Sequence, residues 1–150
     1  MPQSLVMIVA HLVFSTKNRS PVLFPQVRPA LYAYMSGILH QQTCRAIIID
    51  GVEDHVHILC SLSKTLAPCK VVEEVKTGSS KWLKLQDPVL RDFHWQNGYG
   101  MFSVGPSDMD ATQEYVRNQE AHHAMVTFQD EYRRFLTKNG VPFDERYVWD

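Results

Sequence analysis

Residues 4–15, Ser-Leu-Val-Met-Ile-Val-Ala-His-Leu-Val-Phe-Ser, form a nearly unbroken apolar run rich in β-branched side chains, the pattern of a central strand buried on both faces. Only His11 interrupts it, and a single imidazole in such a run reads first as a hydrogen-bonded core residue. From Gln26 to Gln41 the period changes, and Val27, Ala30, Leu31, Tyr34, Met35, Ile38 and Leu39 predict a helix. Cys44 to Gly51 reads as a second strand ending in Asp50-Gly51, so the stretch from His55 to Cys60 is expected to return as the other arm of a hairpin. A second helix is predicted from Ala67 or Pro68 to Leu85, with Pro68 in its first turn and Val71, Val72, Val75, Trp82, Leu83 and Leu85 among its apolar positions. Turn glycines and a short fourth strand follow between Phe93 and Val104. Strand, helix, strand, strand, helix, strand is the ferredoxin-like, split βαβ order: an α+β fold with an antiparallel sheet and two helices on one face. Beyond it, Ser107-Asp108-Met109-Asp110 has the spacing of a capping box and predicts a further helix running to about His123.

Composition bounds this picture without altering it. A chain of 150 residues, 45% hydrophobic and 21% charged, fits a single domain over residues 1–150. No apolar run reaches the roughly 20 residues of a bilayer span, and Leu5 to Phe14 lacks the basic flank and small-residue cleavage site of a signal peptide, so a cytoplasmic location with no membrane contact is expected. Cys44, Cys60 and Cys69 form no CxxC and are odd in number, which points to free thiols. The net charge of −1 hides an asymmetry. Residues 1–49 carry Lys17, Arg19, Arg28 and Arg45 and no acid, whereas residues 92–150 carry ten acids against five bases. One surface is thus expected to be basic and another acidic and solvated.

The candidate chemistry centres on Asp54-His55-Val56-His57-Ile58-Leu59-Cys60. On a strand His55 and His57 share one face, the face predicted to be turned away from the two helices and free for a ligand. Two imidazoles can hold a divalent metal or grip a phosphate, but a metal needs a further ligand from elsewhere. On the later helix Tyr115 and Gln119 lie a turn apart, where Gln119 can bring a neutral ligand and Tyr115 a phenol hydroxyl. Phosphate contact is assigned to Lys17 and Arg19 in the polar loop Ser15–Pro21, and to Lys76 and Lys81. The last two flank Gly78-Ser79-Ser80, small residues that let a backbone or a phosphate approach. Plain solvation of these lysines is the competing explanation.

Taken together these segments resemble the single-tyrosine HUH transposases of the smallest bacterial insertion sequences, the IS200-like family, where HUH denotes histidine, hydrophobic, histidine. The resemblance runs from His11 and Lys17 through Asp54-His55-Val56-His57, Lys76-Thr77-Gly78-Ser79-Ser80 and the Trp95–Phe102 segment. It continues through Tyr115-Val116-Arg117-Asn118-Gln119, His122-His123 and Phe143-Asp144-Glu145-Arg146-Tyr147. One departure is Glu53, at a position often occupied by proline in relatives.

The resemblance implies that His55, His57 and Gln119 bind a divalent ion, Mg²⁺ or Mn²⁺, and that Tyr115 is the nucleophile. It implies cleavage and rejoining of single-stranded DNA bearing hairpins through a 5′-phosphotyrosine intermediate. It also implies a homodimer in which the tyrosine can serve the histidines of its own chain or of the other. The stretch Asp130–Asp150 is expected to contribute packing and solubility rather than chemistry. Two rival readings are a non-enzymatic hairpin-DNA-binding protein of the same fold, and a metal-dependent phosphoesterase with Tyr115 only structural.

Overall fold

The computed structural model describes residues 2–150. Its elements are β1 (Val9–Ser15), α1 (Arg28–Gln41), β2 (Arg45–Gly51), β3 (His55–Ser61), α2 (Pro68–Lys84), β4 (Gly100–Ser103), α3 (Met109–Arg117), α4 (Gln119–His123) and α5 (Phe128–Lys138). The strands lie in the order β2-β3-β1-β4 with every neighbouring pair antiparallel, so β3 is inserted between β1 and β2 as the split βαβ topology requires. No described helix is long and apolar enough to cross a membrane.

One face of the sheet packs on α1 and α2. Leu12, Phe14, Val56, Ile58 and Cys60 meet Leu31, Met35 and Leu39 from α1 and Val71, Val72, Val75 and Leu83 from α2. The small residues of α2 serve this layer. A Cβ on Gly78 would come within 2.7 Å of Ile38 Cδ1, and the buried Ser79 hydroxyl donates to Val75 O and accepts from the Trp95 indole. The close approach that the sequence predicts at Gly78 is therefore made by α1.

The other face is not free. Register places Val13 opposite His57 and His11 opposite both Leu59 and Phe102, so this face is partly apolar and requires cover. The cover is the C-terminal region: Phe128, Tyr132 and Leu136, on one stripe of α5, pack on Val13 and Phe102. His55 and His57 are fully buried beneath it, which corrects the expectation of an open histidine face.

Two boundaries also differ from the sequence pattern. Strand pairing begins at Val9 rather than Ser4, because Val9 pairs with Ser61, the last residue of β3, and Ala10 with Ser103, the last of β4. Leu5 to Ile8 are exposed. The helix predicted over 107–123 is broken: Pro106–Asp108 form a 3-10 turn, Ser107 caps nothing, and Asn118 at φ −98°, ψ 29° separates α3 from α4. Arg28 holds the second piece in place, its guanidinium lying 3.1 Å from Glu120 of α4 and 3.8 Å from Glu53. Glu53, the departure from the family pattern, is thus a partner of α1.

Candidate active site

The β2–β3 turn fixes the first histidine. A Cβ on Gly51 would lie 2.3 Å from the His55 carbonyl oxygen, so only glycine lets the hairpin close this tightly. His55 Nδ1–H then donates to Asp54 Oδ1 at 2.6 Å, which leaves Nε2 with a lone pair directed inward. His123, delivered by α4, repeats the arrangement: its Nδ1–H donates to the Val126 carbonyl at 2.6 Å, and its Nε2 lies 2.9 Å from His55 Nε2. These tautomers follow from the hydrogen-bond partners.

His57, one step along the same face, places Nε2 2.9 Å from Glu131 Oε1 and Nδ1 2.8 Å from His11 Nε2. His11 is a hydrogen-bonded core residue, and its partner is a site histidine. Glu131, almost fully buried in the first turn of α5, also has Oε1 3.1 Å from His123 Nε2 and 3.5 Å from His55 Nε2. One ligand atom from each of His55, His57, His123 and Glu131 lies within 4.8 Å of the others. Lone pairs converge here on a space that only a proton or a cation can occupy favourably, so the donor set fits a divalent metal.

The nucleophile candidate enters from α3. The Tyr115 hydroxyl donates to Glu131 Oε2 and lies 3.1 Å from His122 Nε2, which is itself 3.1 Å from Glu131 Oε2. Glu131 therefore meets the histidine cluster with one oxygen and the phenol with the other. Gln119 is fully buried, its amide N–H₂ donating to Tyr115 O at 3.1 Å while its Oε1 has no partner in the protein. An orphaned buried amide oxygen next to Tyr115 is open to a further partner.

Electrostatics follow from burial and this shared carboxylate. Burial lowers His57 to about 4 despite Glu131, and burial with the neighbouring His57 lowers His11 to about 3. His55 rises: burial pulls it down, but Asp54 and Glu131 outweigh that. Glu131 falls far below the usual carboxylate range, because the hydrogen bonds from His123, His55 and His57 overcome the effect of burial. Burial and Glu131 together push Tyr115 well above the ordinary phenol value, and burial leaves His122 lowered and neutral near pH 7.

Of the residues singled out from sequence, His55, His57 and Tyr115 meet around Glu131, and the Gln119 amide is bonded to Tyr115. The four basic residues lie elsewhere. Lys17 and Arg19 sit in the loop after β1, where Asn18 and Arg19 adopt φ of 57° and 55° and line a hollow of about 500 Å³. Lys81 lines a separate hollow with Lys84 and His94. Lys76 is committed to its own chain, its ammonium donating to the carbonyls of Gln96, Asn97 and Gly98 at 2.7, 3.2 and 2.6 Å. Burial draws it down to about 8, yet three acceptors around three donors favour the charged form.

Sequence reasoning missed Glu131 and gave His122 and His123 no role. The acidic C-terminal stretch holds a site residue, which corrects its assignment to packing alone. A signal was present: Glu131 stands inside the stripe Phe128, Tyr132, Phe135, Leu136, where a carboxylate is buried only if it is paired.

Comparison with known proteins agrees with this architecture. The chain is 25% identical over 114 residues to the ISDra2 transposase TnpA of Deinococcus radiodurans, covering 73% of this chain and 81% of that one. Its fold matches a 1.90 Å crystal structure of a Deinococcus radiodurans R1 protein described as a transposase, with a TM-score of 0.61 at 22% identity over 79% of this chain and 98% of that one. It also matches a REP-associated tyrosine transposase bound to a REP hairpin, with a TM-score of 0.62 at 12% identity over 84% and 74% of the two chains. The family model described as transposase IS200 like matches residues 4–119, from β1 through Gln119, and on that match the chain belongs to the IS200-like transposase family.

Proposed function

We propose that this protein cuts and rejoins single-stranded DNA at hairpin-bearing ends of a small insertion sequence, through a covalent bond between Tyr115 and a 5′-phosphate. The observation that carries this reading is that Tyr115 and His57 contact the same buried carboxylate, Glu131, so nucleophile and cation cluster are one side chain apart. Family membership supports transposition, and the fold shared with a transposase bound to a REP hairpin supports hairpin DNA as the substrate.

His55, His57, His123 and Glu131 would hold the divalent ion, and the free Oε1 of Gln119, whose amide is bonded to Tyr115, is the proposed further ligand. Mg²⁺ and Mn²⁺ both accept a carboxylate, and the imidazoles favour Mn²⁺. When bound, such an ion withdraws charge from a nonbridging oxygen of the scissile phosphate. Tyr115 Oη attacks phosphorus and the 3′-oxygen leaves, conserving the phosphodiester energy in the tyrosyl ester so that another 3′-hydroxyl can reseal the strand. The phenol proton passes to the Glu131 Oε2–His122 Nε2 pair. His122, neutral near pH 7 and about a quarter exposed, can carry it to solvent.

In this reading Tyr115 serves the histidines of its own chain, supported by its hydrogen bond to the Glu131 that also meets His57. The test is a labelled hairpin oligonucleotide with Mn²⁺: wild type is expected to yield an adduct that survives denaturing electrophoresis, and Tyr115→Phe none. Hydrolysed product without an adduct, or binding without cleavage, would instead support a phosphoesterase or a pure binding protein.

A further inference from the structure

Beyond Glu131, α5 carries two cations toward the tyrosine. Tyr115, Phe135 and Lys138 are shared by two adjoining hollows. One, of about 180 Å³, is completed by His122, Glu131 and Arg134. The other, of about 370 Å³, extends from Tyr115 past His11 and Thr112 to Asn139. Arg134 and Lys138 are one turn apart on α5 and so lie on the same side of the helix.

Their charges are unspent. Among the described residues neither Arg134 nor Lys138 has a carboxylate partner within ion-pair distance, whereas neighbouring Arg133 is held by Glu145 and Asp130. The carboxylates lining these hollows are Glu131, already engaged by the histidines and Tyr115, and Asp108. Two unpaired cations beside the nucleophile contrast with their surroundings, since residues 92–150 carry ten acids against five bases. Both also lie beyond residue 119, where the family match ends.

We infer that Arg134 and Lys138 form a phosphate cradle that holds the single-stranded DNA backbone on either side of the scissile bond and presents it to Tyr115. This rests on the proposed strand cleavage, and it adds that α5 supplies the contacts to the strand as well as Glu131. Arg134, with its planar fork, suits a phosphate next to the hollow containing Glu131, while Lys138 stands as a point charge between the two hollows. They are positioning residues: they place the strand and do not touch the reacting atoms.

Binding is measured in the Tyr115→Phe background, where no cleavage intervenes, across a range of salt concentrations. The oligonucleotide is a hairpin with a single-stranded extension spanning the cleavage site. Adding Arg134→Gln and Lys138→Gln should lower the slope of log affinity against log salt by about 1.4, the value for two single-strand phosphate contacts. It should leave Mn²⁺ binding unchanged. Replacing the phosphates flanking the scissile one by neutral methylphosphonates should weaken binding to Tyr115→Phe and have no further effect in the triple variant. Arg134→Lys with Lys138→Arg should keep the salt slope.

Unchanged slope and unchanged methylphosphonate sensitivity would overturn the cradle, as would an equal loss on a hairpin lacking the extension. Failure of wild type to form the adduct would overturn the tyrosyl chemistry and leave this binding result to stand by itself.

Discussion

His57 and Tyr115 meet at opposite oxygens of one carboxylate: His57 Nε2 lies 2.9 Å from Glu131 Oε1, and the Tyr115 hydroxyl donates to Glu131 Oε2. Sheet and tyrosine helix are therefore coupled through a residue from a third element, α5. Removing that residue takes away the hydrogen-bond partner they share.

Glu131→Gln keeps the shape and removes the charge. Divalent-ion affinity is expected to fall by at least the ~10–100-fold that loss of an outer-shell partner costs. Calorimetric titration with Mn²⁺ measures it, and an unchanged dissociation constant would remove Glu131 from the ligand set. Glu131→Ala should in addition destabilise the fold by about 1–3 kcal/mol, because it leaves buried imidazole N–H groups without their acceptor.

His122 is about a quarter exposed, and its Nε2 lies 3.1 Å from both the phenol and Glu131 Oε2. His122→Phe is expected to slow adduct formation by ~10²–10⁴-fold, the range for loss of a positioned proton acceptor, with little change in Mn²⁺ affinity. Single-turnover rates against pH check it: the wild-type rate should fall as His122 becomes protonated below its lowered pKa, and the variant should lose that limb.

The metal-free protein should lose stability in mild acid. His11 and His57 titrate near 3 and 4 when folded, against 6.5 when unfolded, so below pH 6.5 the unfolded chain takes up protons that the native state refuses. Each such proton costs about 1.4 kcal/mol per pH unit down to those lower values. The depressed Glu131 adds a loss of stability as pH falls through and below the ordinary carboxylate range, and the raised His55 partly opposes it near neutrality. Urea unfolding in chelator between pH 7.5 and 5 should show this decline, made shallower by His11→Phe.

The proposed assembly in cis has a mixing test. Tyr115→Phe and His57→Ala chains, each inactive, should stay inactive when combined, because Tyr115 already contacts the carboxylate that binds its own His57. Recovered adduct in the mixture would show that the tyrosine serves a second chain.

Much of this fold can be read from periodicity. The β-branched run through Val13 and the 3.6-residue spacing of Leu31, Met35 and Leu39 report burial directly, and the Asp50-Gly51 turn marks the hairpin. The covering of the histidine face was less legible, since it depends on tertiary packing: Phe128, Tyr132 and Leu136 form an amphipathic stripe whose target the spacing cannot name. Glu131 was hidden for a related reason, as an acid within an acidic stretch resembles a solvated one until the apolar residues around it are counted. The break at Asn118 carries no proline or glycine to announce it. Lys76 shows the opposite error, a lysine in a basic helix whose acceptors are three carbonyls of its own chain.

The position of α5 in the chain has a consequence for the protein's birth. During synthesis the four strands, ending at Ser103, emerge before Tyr115, His123 and Glu131. The nascent sheet can thus pair its strands and pack α1 and α2 before Tyr115 and Glu131 are made. The proposed site is completed only with α5, and a chain stalled before Phe128 would leave Val13 and Phe102 on the histidine face without their cover.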